Sequence, residues 1–548
     1  MNELKNYSQY LSFQIVNACK NAGITHAVIS PGLRCAPIIK AATLSGLKIT
    51  SCIDERAAGY YALGLYKANK TRSVLICTSG TATLNYLPAL AEAFKTNIPL
   101  LILTADRPVD LIKRNSNQTI NQISSFTPFT KSQLALSNLQ DTQIQKLQNI
   151  FNSKDFSYSP THINLHLSEP VDDQDKAYSK ENNIALKTAS NFNQDKEEVD
   201  ESLLGQIQKA ENPLFIVGSG EYSKEDIELI LNTNIPTMLD VTTGYKTTLL
   251  PSENLTPSFD HPEVRTYFRE NPPDLIVKFG QYVVTKHLSN LRTTKEGKIF
   301  EEDILNNQKI CFESKQRTVF NKKALLSSLK TLKREDLKHK SWQLLSKTKR
   351  ENIDKFGLTF PFISKHFLDN IKTKKTIILG NSTIVRSFDY FIPKAKGPIH
   401  KIITNRGVSG IEGFTMMSKA VSEVLDEQVV VFNGDISFLH DLNSLHALKN
   451  STGNLVYFLL NNQCGGIFNS IPILIDEKTK PFITTDHTAN FEKIIKSFDI
   501  NYLSVSTTEE YLELLSDIDS IKKTTIIECK IDDKKNVDLF KFLRTLNN

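Results

Sequence analysis

This 548-residue chain lacks paired cysteines, long apolar runs and a strong charge of one sign, and each absence removes a class of protein. Its seven cysteines (Cys19, Cys35, Cys52, Cys77, Cys311, Cys464, Cys529) are scattered, with no Cys-x-x-Cys. Neither a disulfide framework nor a zinc ribbon is indicated, and a reducing interior is expected. No stretch approaches the ~18 consecutive apolar residues of a membrane span. The opening MNELKNYSQYLSFQIVNACKNAG mixes polar and apolar residues at helical spacing, without the unbroken core of a signal peptide, so a cytoplasmic location is expected. With 40% apolar and 23% charged residues, 22 glycines and 20 prolines, the composition excludes a disordered chain, a coiled coil and a collagen-like fibre. The formal net charge of +6 is too small and too scattered to mark nucleic-acid binding, although anionic substrates suit it.

What is present is alternation. From residue 26, short β-branched runs (HAVIS, KITSCI, SVLICTS, PLLILTA) alternate with helical patterns (APIIKAATL, ERAAGYYALGLYKA, TATLNYLPALAEAF). Near-continuous apolar strands are buried on both faces, which predicts parallel sheets flanked by helices. At ~150 residues per domain the length suggests about three or four domains. The α/β rhythm places three, at 1–185, 200–325 and 355–548, with a charged linker, VDDQDKAYSKENNIALKTASNFNQDKEEVDES, after the first. The second domain reads its strands in NPLFIVGSG, IPTMLDVTTG, DLIVKFG and KICFES. The third reads them in KTIILG, HKIITN, QVVVFNGD, LVYFLLNN and TTIIECKI. Between these two domains, KKALLSSLKTLKREDLKHKSWQLLSKTKR is expected to be a solvated connecting helix.

In an open parallel sheet, ligands gather beyond the carboxyl ends of strands, so polar residues just after apolar runs carry the functional information. QVVVFNGD ends in Gly434 and Asp435, and NLVYFLLNN ends in Asn461 and Asn462. Asp435 and Asn462 lie 27 residues apart, one strand-helix-strand crossover, so both side chains can emerge at one sheet edge. A carboxylate, an amide oxygen and a nearby backbone carbonyl suit a hard divalent cation that also holds phosphate oxygens. Taken singly, Gly-Asp is a turn and Asn-Asn a helix cap.

This pairing, with GDISFLHDLN, NNQCGGIFNSIP, NRGVSGIEG, ISPGLR, IDERAAGYYALGLYK, TSGTATLNYLPALAEA, LTADRP and NQTINQ, resembles the thiamine diphosphate-dependent enzymes. Within them it resembles the branch of 2-succinyl-5-enolpyruvyl-6-hydroxy-3-cyclohexene-1-carboxylate synthases (MenD). The resemblance implies a thiamine diphosphate-binding fold in which Glu55 of one subunit bonds the cofactor's aminopyrimidine ring, while another subunit holds the diphosphate. A homodimer or dimer of dimers follows. Ala57, Ala58 and Gly59 would leave Glu55 partly desolvated; Asp54 and Glu55 also read as ordinary acids of a helix's first turn. The implied metal ligands for Mg2+ (or Mn2+) are Asp435, Asn462 and the backbone carbonyl of Cys464. Gly434 and Ile467 would touch the cofactor, and Ile411 would prop its two rings into a bent conformation.

The implied substrates, 2-oxoglutarate and isochorismate, each carry two carboxylates, and arginine binds a carboxylate through two parallel hydrogen bonds. By the resemblance, Arg34, Arg107, Arg386 and Arg406 line the pocket beside Asn117, Gln118, Lys286 and Ser382. Phe468 and Ile471 form its apolar wall. Gln118, Arg386 and Arg406 are candidates for orienting isochorismate. The implied reaction decarboxylates 2-oxoglutarate and adds the succinyl-semialdehyde carbanion to isochorismate, a step of menaquinone biosynthesis. The chain departs from the family at Leu33, where serine is common, at His287, where a second basic residue is frequent, and at Gln463-Cys464. Competing readings are another thiamine diphosphate enzyme, such as an acetolactate synthase, and a non-catalytic α/β binding protein.

Overall fold

A computed structural model of the chain describes residues 6–114, 116–168, 201–245, 253–302, 317–390, 398–470 and 476–545. It divides into two compact units: Met1–Asn193 with Gly407–Asp426 and Asp441–Gly453, and Gln194–Arg406 with Glu427–His440 and Asn454–Asn548.

The first unit holds a parallel sheet of β1 (His26–Ile29), β2 (Lys48–Ser51), β3 (Ser73–Cys77), β4 (Leu101–Asp106), β5 (Ser132–Leu136) and β6 (Thr161–His166), in the order β2-β1-β3-β4-β6-β5. Alternate residues of a strand serve opposite faces. Ala27, Ile29, Val74 and Ile76 join a core with Leu11, Ile15 and Ile38, whereas Val28, Leu75 and Cys77 join another with Tyr60, Leu63 and Leu90. That division is the reason these strands read as unbroken apolar runs. The expected helix TATLNYLPALAEAF is two helices, Thr81–Leu84 and Leu87–Lys95, because Pro88 suits a helix start and not an interior.

The second of these cores also takes Met416 and Ala420 from the helix Phe414–Ser422, which packs on the helix Glu55–Asn69. The Asp441 carboxylate accepts the N–H groups of Gly413 (2.9 Å) and Thr415 (3.3 Å) at that helix's start. Gly413 has φ +85°, and a Cβ there would stand 1.9 Å from Cγ of Tyr60. Gly413→Ala combines overpacking with a strained φ and is expected to cost about 2–5 kcal/mol, read as a lower midpoint in equilibrium denaturation.

The second unit holds two more six-stranded parallel sheets. One consists of β7 (Pro213–Val217), β8 (Thr237–Leu239), β9 (Leu255–Thr256), β10 (Leu275–Phe279), β11 (Lys298–Glu302) and β12 (Arg317–Phe320), in the order β12-β11-β10-β7-β8-β9. The other consists of β13 (Lys375–Leu379), β14 (Ile399–Thr404), β15 (Gln428–Gly434), β16 (Leu455–Asn461), β17 (Asn501–Val505) and β18 (Thr525–Lys530), in the order β14-β13-β15-β16-β18-β17. The third sheet thus repeats the strand order of the first. No helix among the described residues is long and apolar enough to cross a membrane.

Three expectations are revised or fall outside this description. The strand KICFES lies outside the described residues, as does nearly all of the charged linker. The Lys-rich stretch is not one solvated helix: it contains the helices Lys322–Leu329 and Gln343–Ile353. The first buries Leu325, Leu326 and Leu329 in the core of the second sheet, and Lys349 on the second is fully buried, 3.4 Å from Glu263. Charged side chains with long apolar stems conceal such burial from a reading of composition.

Candidate active site

At the carboxyl edge of the first sheet, Asp54 caps the helix Glu55–Asn69 by accepting the N–H of Ala57 (3.2 Å). Glu55, the first helical residue, is half-buried and accepts a hydrogen bond from Asn85 Nδ2 (3.0 Å). Beside it lies a cavity of about 360 Å³ lined by Cys52, Ile53, Glu55, Asn85, Met416 and His446. Asp54 therefore takes the ordinary capping role, which leaves the Glu55 carboxyl for other work.

The loops after β3 and β4 bring two expected residues together. Arg107 Nη1 donates to Ser79 Oγ (3.1 Å), and Gln118 Nε2 reaches the Ser79 carbonyl (3.5 Å). Gln118 has φ +61°, and Asn117 beside it is exposed. Arg34 is buried and donates to the Leu167 carbonyl (3.1 Å), while the neighbouring Leu33 is 73% exposed.

Beneath these residues runs a polar network absent from the sequence reading. Gln122 accepts the Gly80 N–H (2.9 Å) and donates to Asn164 Oδ1 (2.7 Å); Asn164 donates to Asp106 Oδ2 (2.9 Å), and Asp106 Oδ1 accepts the Arg107 N–H (2.8 Å). Burial pushes the Asp106 carboxyl above its usual range, against the lowering effect of Asn164. The network fixes the backbone from which Arg107 projects.

At the carboxyl edge of the third sheet, β15 and β16 are parallel neighbours with Gly434 opposite Leu460. Asp435, 2% exposed, accepts the N–H groups of Ile436 (2.7 Å) and Asn462 (3.0 Å), and His487 Nε2 lies 3.4 Å from its Oδ2. Burial holds the Asp435 carboxyl above the usual range, with the Ile436 N–H and His487 acting the other way. Gln463, at φ +61°, turns the chain sharply after Asn462. The Cys464 carbonyl accepts the Gly466 N–H (2.9 Å), and burial, with Asp533 next in effect, pushes its thiol up to about 12. The side chain is thus a neutral thiol near pH 7, and the departure from the family at this position adds no thiolate.

These groups fit a hard divalent cation: one buried carboxylate, one buried amide and a carbonyl with a second lone pair. Gly434 and Ile467 are half-buried, Phe468 and Ile411 are each 40% exposed, and Ile471 lies outside the described residues. A second cavity, of about 410 Å³, lies at the ends of β16, β17 and β18, lined by Asn461, Gln463, Tyr502, Glu528, Lys530 and Asp532.

The remaining expected cations lie in the second unit. Ser382 has φ +65°, and its carbonyl accepts from Arg386 Nη1 (2.6 Å); Arg406 Nη1 donates to Asn381 Oδ1 (3.2 Å). Lys286 is exposed beside His287, whose pKa is lowered by burial first and then by Arg265, Lys286 and Arg544. Arg544 in turn feels Arg386 and Arg265, and its guanidinium donates to the Ser470 carbonyl. Arg265 and Arg544 therefore extend the expected basic cluster, although nothing in their local sequence sets them apart.

Two family models match the chain: "Thiamine pyrophosphate enzyme, N-terminal TPP binding domain" over residues 10–125, and the corresponding C-terminal TPP binding domain over residues 401–529. Among curated proteins, the chain is similar to the 2-succinyl-5-enolpyruvyl-6-hydroxy-3-cyclohexene-1-carboxylate synthase of Chlorobaculum parvum, at 29% identity covering 97% of this chain and 95% of that protein. It is similar to that of Syntrophus aciditrophicus at 29%, covering 96% of each. The protein of the same name from Desulfitobacterium hafniense is 26% identical, covering 97% of this chain and 99% of the relative.

Proposed function

Because the chain belongs to the thiamine pyrophosphate enzymes, we propose that it joins 2-oxoglutarate to isochorismate with loss of CO2, the reaction of a 2-succinyl-5-enolpyruvyl-6-hydroxy-3-cyclohexene-1-carboxylate synthase in menaquinone biosynthesis. The observation that carries this reading is Asp435 bonded to the Asn462 N–H across β15 and β16, both within the residues that the C-terminal family model matches. Full-length similarity to synthases of that name disfavours an acetolactate synthase or a non-catalytic protein.

Asp435, the Asn462 amide oxygen and the Cys464 carbonyl would hold Mg2+ (or Mn2+) with the diphosphate, and Gly434, Ile467 and Ile411 would shape the cofactor's seat. Bound thiamine diphosphate supplies a carbon nucleophile and an electron sink for the pair left when CO2 departs. Glu55 holds a proton at its carboxyl for the pyrimidine ring nitrogen. Arg34, Arg107, Lys286, Arg386 and Arg406 bind and orient the substrate carboxylates, with Asn117, Gln118 and Ser382 as hydrogen-bonding partners. Phe468 and, by the resemblance, Ile471 would keep water from the reacting centre. In this reading residues 1–185 serve the pyrimidine ring and 355–548 the diphosphate, with 200–325 between them. The active unit is a cytoplasmic homodimer or dimer of dimers, and an active monomer in sedimentation would contradict it.

Incubation with thiamine diphosphate, Mg2+, 2-oxoglutarate and isochorismate is expected to release CO2 and consume the isochorismate absorbance. No turnover with all four present overturns the assignment.

A further inference from the structure

Asp533 is the first residue of the helix Asp533–Leu543, yet it is not that helix's cap, because Asp532 takes the capping N–H of Lys535 (3.2 Å). Its two oxygens reach back to the turn after β16. Oδ1 accepts from Asn462 Nδ2 (2.7 Å), and Oδ2 accepts from Asn469 Nδ2 (2.8 Å). A carboxylate only accepts hydrogen bonds, so both amides must present nitrogen to Asp533 and turn their oxygens elsewhere. The neighbouring Cys464 Sγ, 3.6 Å from Asn462 Nδ2 and 3.9 Å from Asn469 Nδ2, lies on the same side of both amides.

The clamp requires the glycine between its arms. A Cβ on Gly466 would stand 2.2 Å from Asn462 Nδ2 and 2.3 Å from Asp533 Oδ1, closer than any side chain tolerates. Gly466, Asn469 and a carboxylate 71 residues beyond Asn462 are thus built around one amide.

We infer that Asp533 is a positioning residue for the metal: by holding Asn462 Nδ2 it fixes the amide with its oxygen toward the cation. This rests on the metal site proposed above. Without Asp533 the amide keeps only the weak contact with Cys464 Sγ (3.6 Å), and part of the population then turns about its last torsion and offers an N–H₂ group, which repels a cation. Groups that orient a metal ligand in this way typically contribute 10- to 100-fold in metal affinity.

The test is Mn2+ binding to the full chain with thiamine diphosphate present, followed by electron paramagnetic resonance, alongside thermal unfolding of each metal-free protein. Asp533→Ala is expected to weaken Mn2+ binding about 10- to 100-fold with little change in melting temperature. Asp533→Asn, which keeps one acceptor oxygen, should fall between it and the parent. Asp532→Ala, which removes the cap and not the clamp, should lower the melting temperature and leave Mn2+ affinity unchanged. Parent-like affinity in a folded Asp533→Ala overturns the inference. Should that variant not fold, Gly466→Ala decides, with the same loss supporting the clamp and parent-like affinity overturning it. Absence of Mn2+ binding by the parent protein overturns the metal site itself, which separates the two failures.

Discussion

Glu55→Gln is expected to leave folding and cofactor binding intact while lowering turnover by about 100- to 10,000-fold, the range a positioned proton donor supplies. The substitution keeps shape and volume. Its amide oxygen can still accept from Asn85 Nδ2, and the helix cap belongs to Asp54, which is untouched. The stability change should be confined to the lost charge at a helix N-terminus, about 0.3–1 kcal/mol. What disappears is the carboxyl that, in the proposed function, would bond the cofactor's ring nitrogen. Steady-state kcat measured beside thermal unfolding separates the two effects, and near-normal kcat in the variant would remove Glu55 from the mechanism.

Asp435→Ala should abolish Mg2+-dependent binding of thiamine diphosphate, read by titration calorimetry with and without the metal. Alanine removes the one carboxylate of the proposed ligand set and leaves an amide and a carbonyl, too little to hold a divalent ion against water. The folded metal-free protein should tolerate the change better than a buried site suggests. The Ile436 and Asn462 N–H groups lose their acceptor, at about 1–3 kcal/mol each where they stay unsatisfied. Against this, burial raises the Asp435 pKa, so the group favours the folded state only where it is protonated. That contribution is present in acid and is lost as pH rises through the raised value, so removing the group costs the metal-free fold less at high pH than in acid. Unchanged cofactor affinity in the variant would exclude Asp435 from the metal site.

The parallel strands were legible because residues such as Val74–Cys77 and Val429–Phe432 are buried on both faces and must be apolar without interruption. The strands that the sequence does not announce, β5, β6, β9, β11, β12 and β17, lie at or next to a sheet edge; β17, NYLSV, exposes three of its five residues, so its apolar signal is diluted. The same logic divides the site. Asp435 and Asn462 could be paired from their spacing because one crossover sets their separation. Asn164 and Arg544 carry no local pattern, and although Asp106 and Asp533 each follow an apolar run, what they touch is set by long-range topology and only the folded chain shows it.

The helix that opens with Glu55 is fastened a turn and a half further on, where the Tyr60 ring lies against the Gly413 backbone and the Tyr61 hydroxyl donates to Glu423 Oε2 (2.8 Å). At about 1.5 Å of rise per residue, those anchors sit less than about 10 Å along a stiff rod from the carboxyl. A shift at the anchors is therefore transmitted nearly undiminished to the carboxyl, as a lever conveys motion from handle to tip. The contacts of Tyr60 with Gly413 and of Tyr61 with Glu423 thereby calibrate where the acid stands.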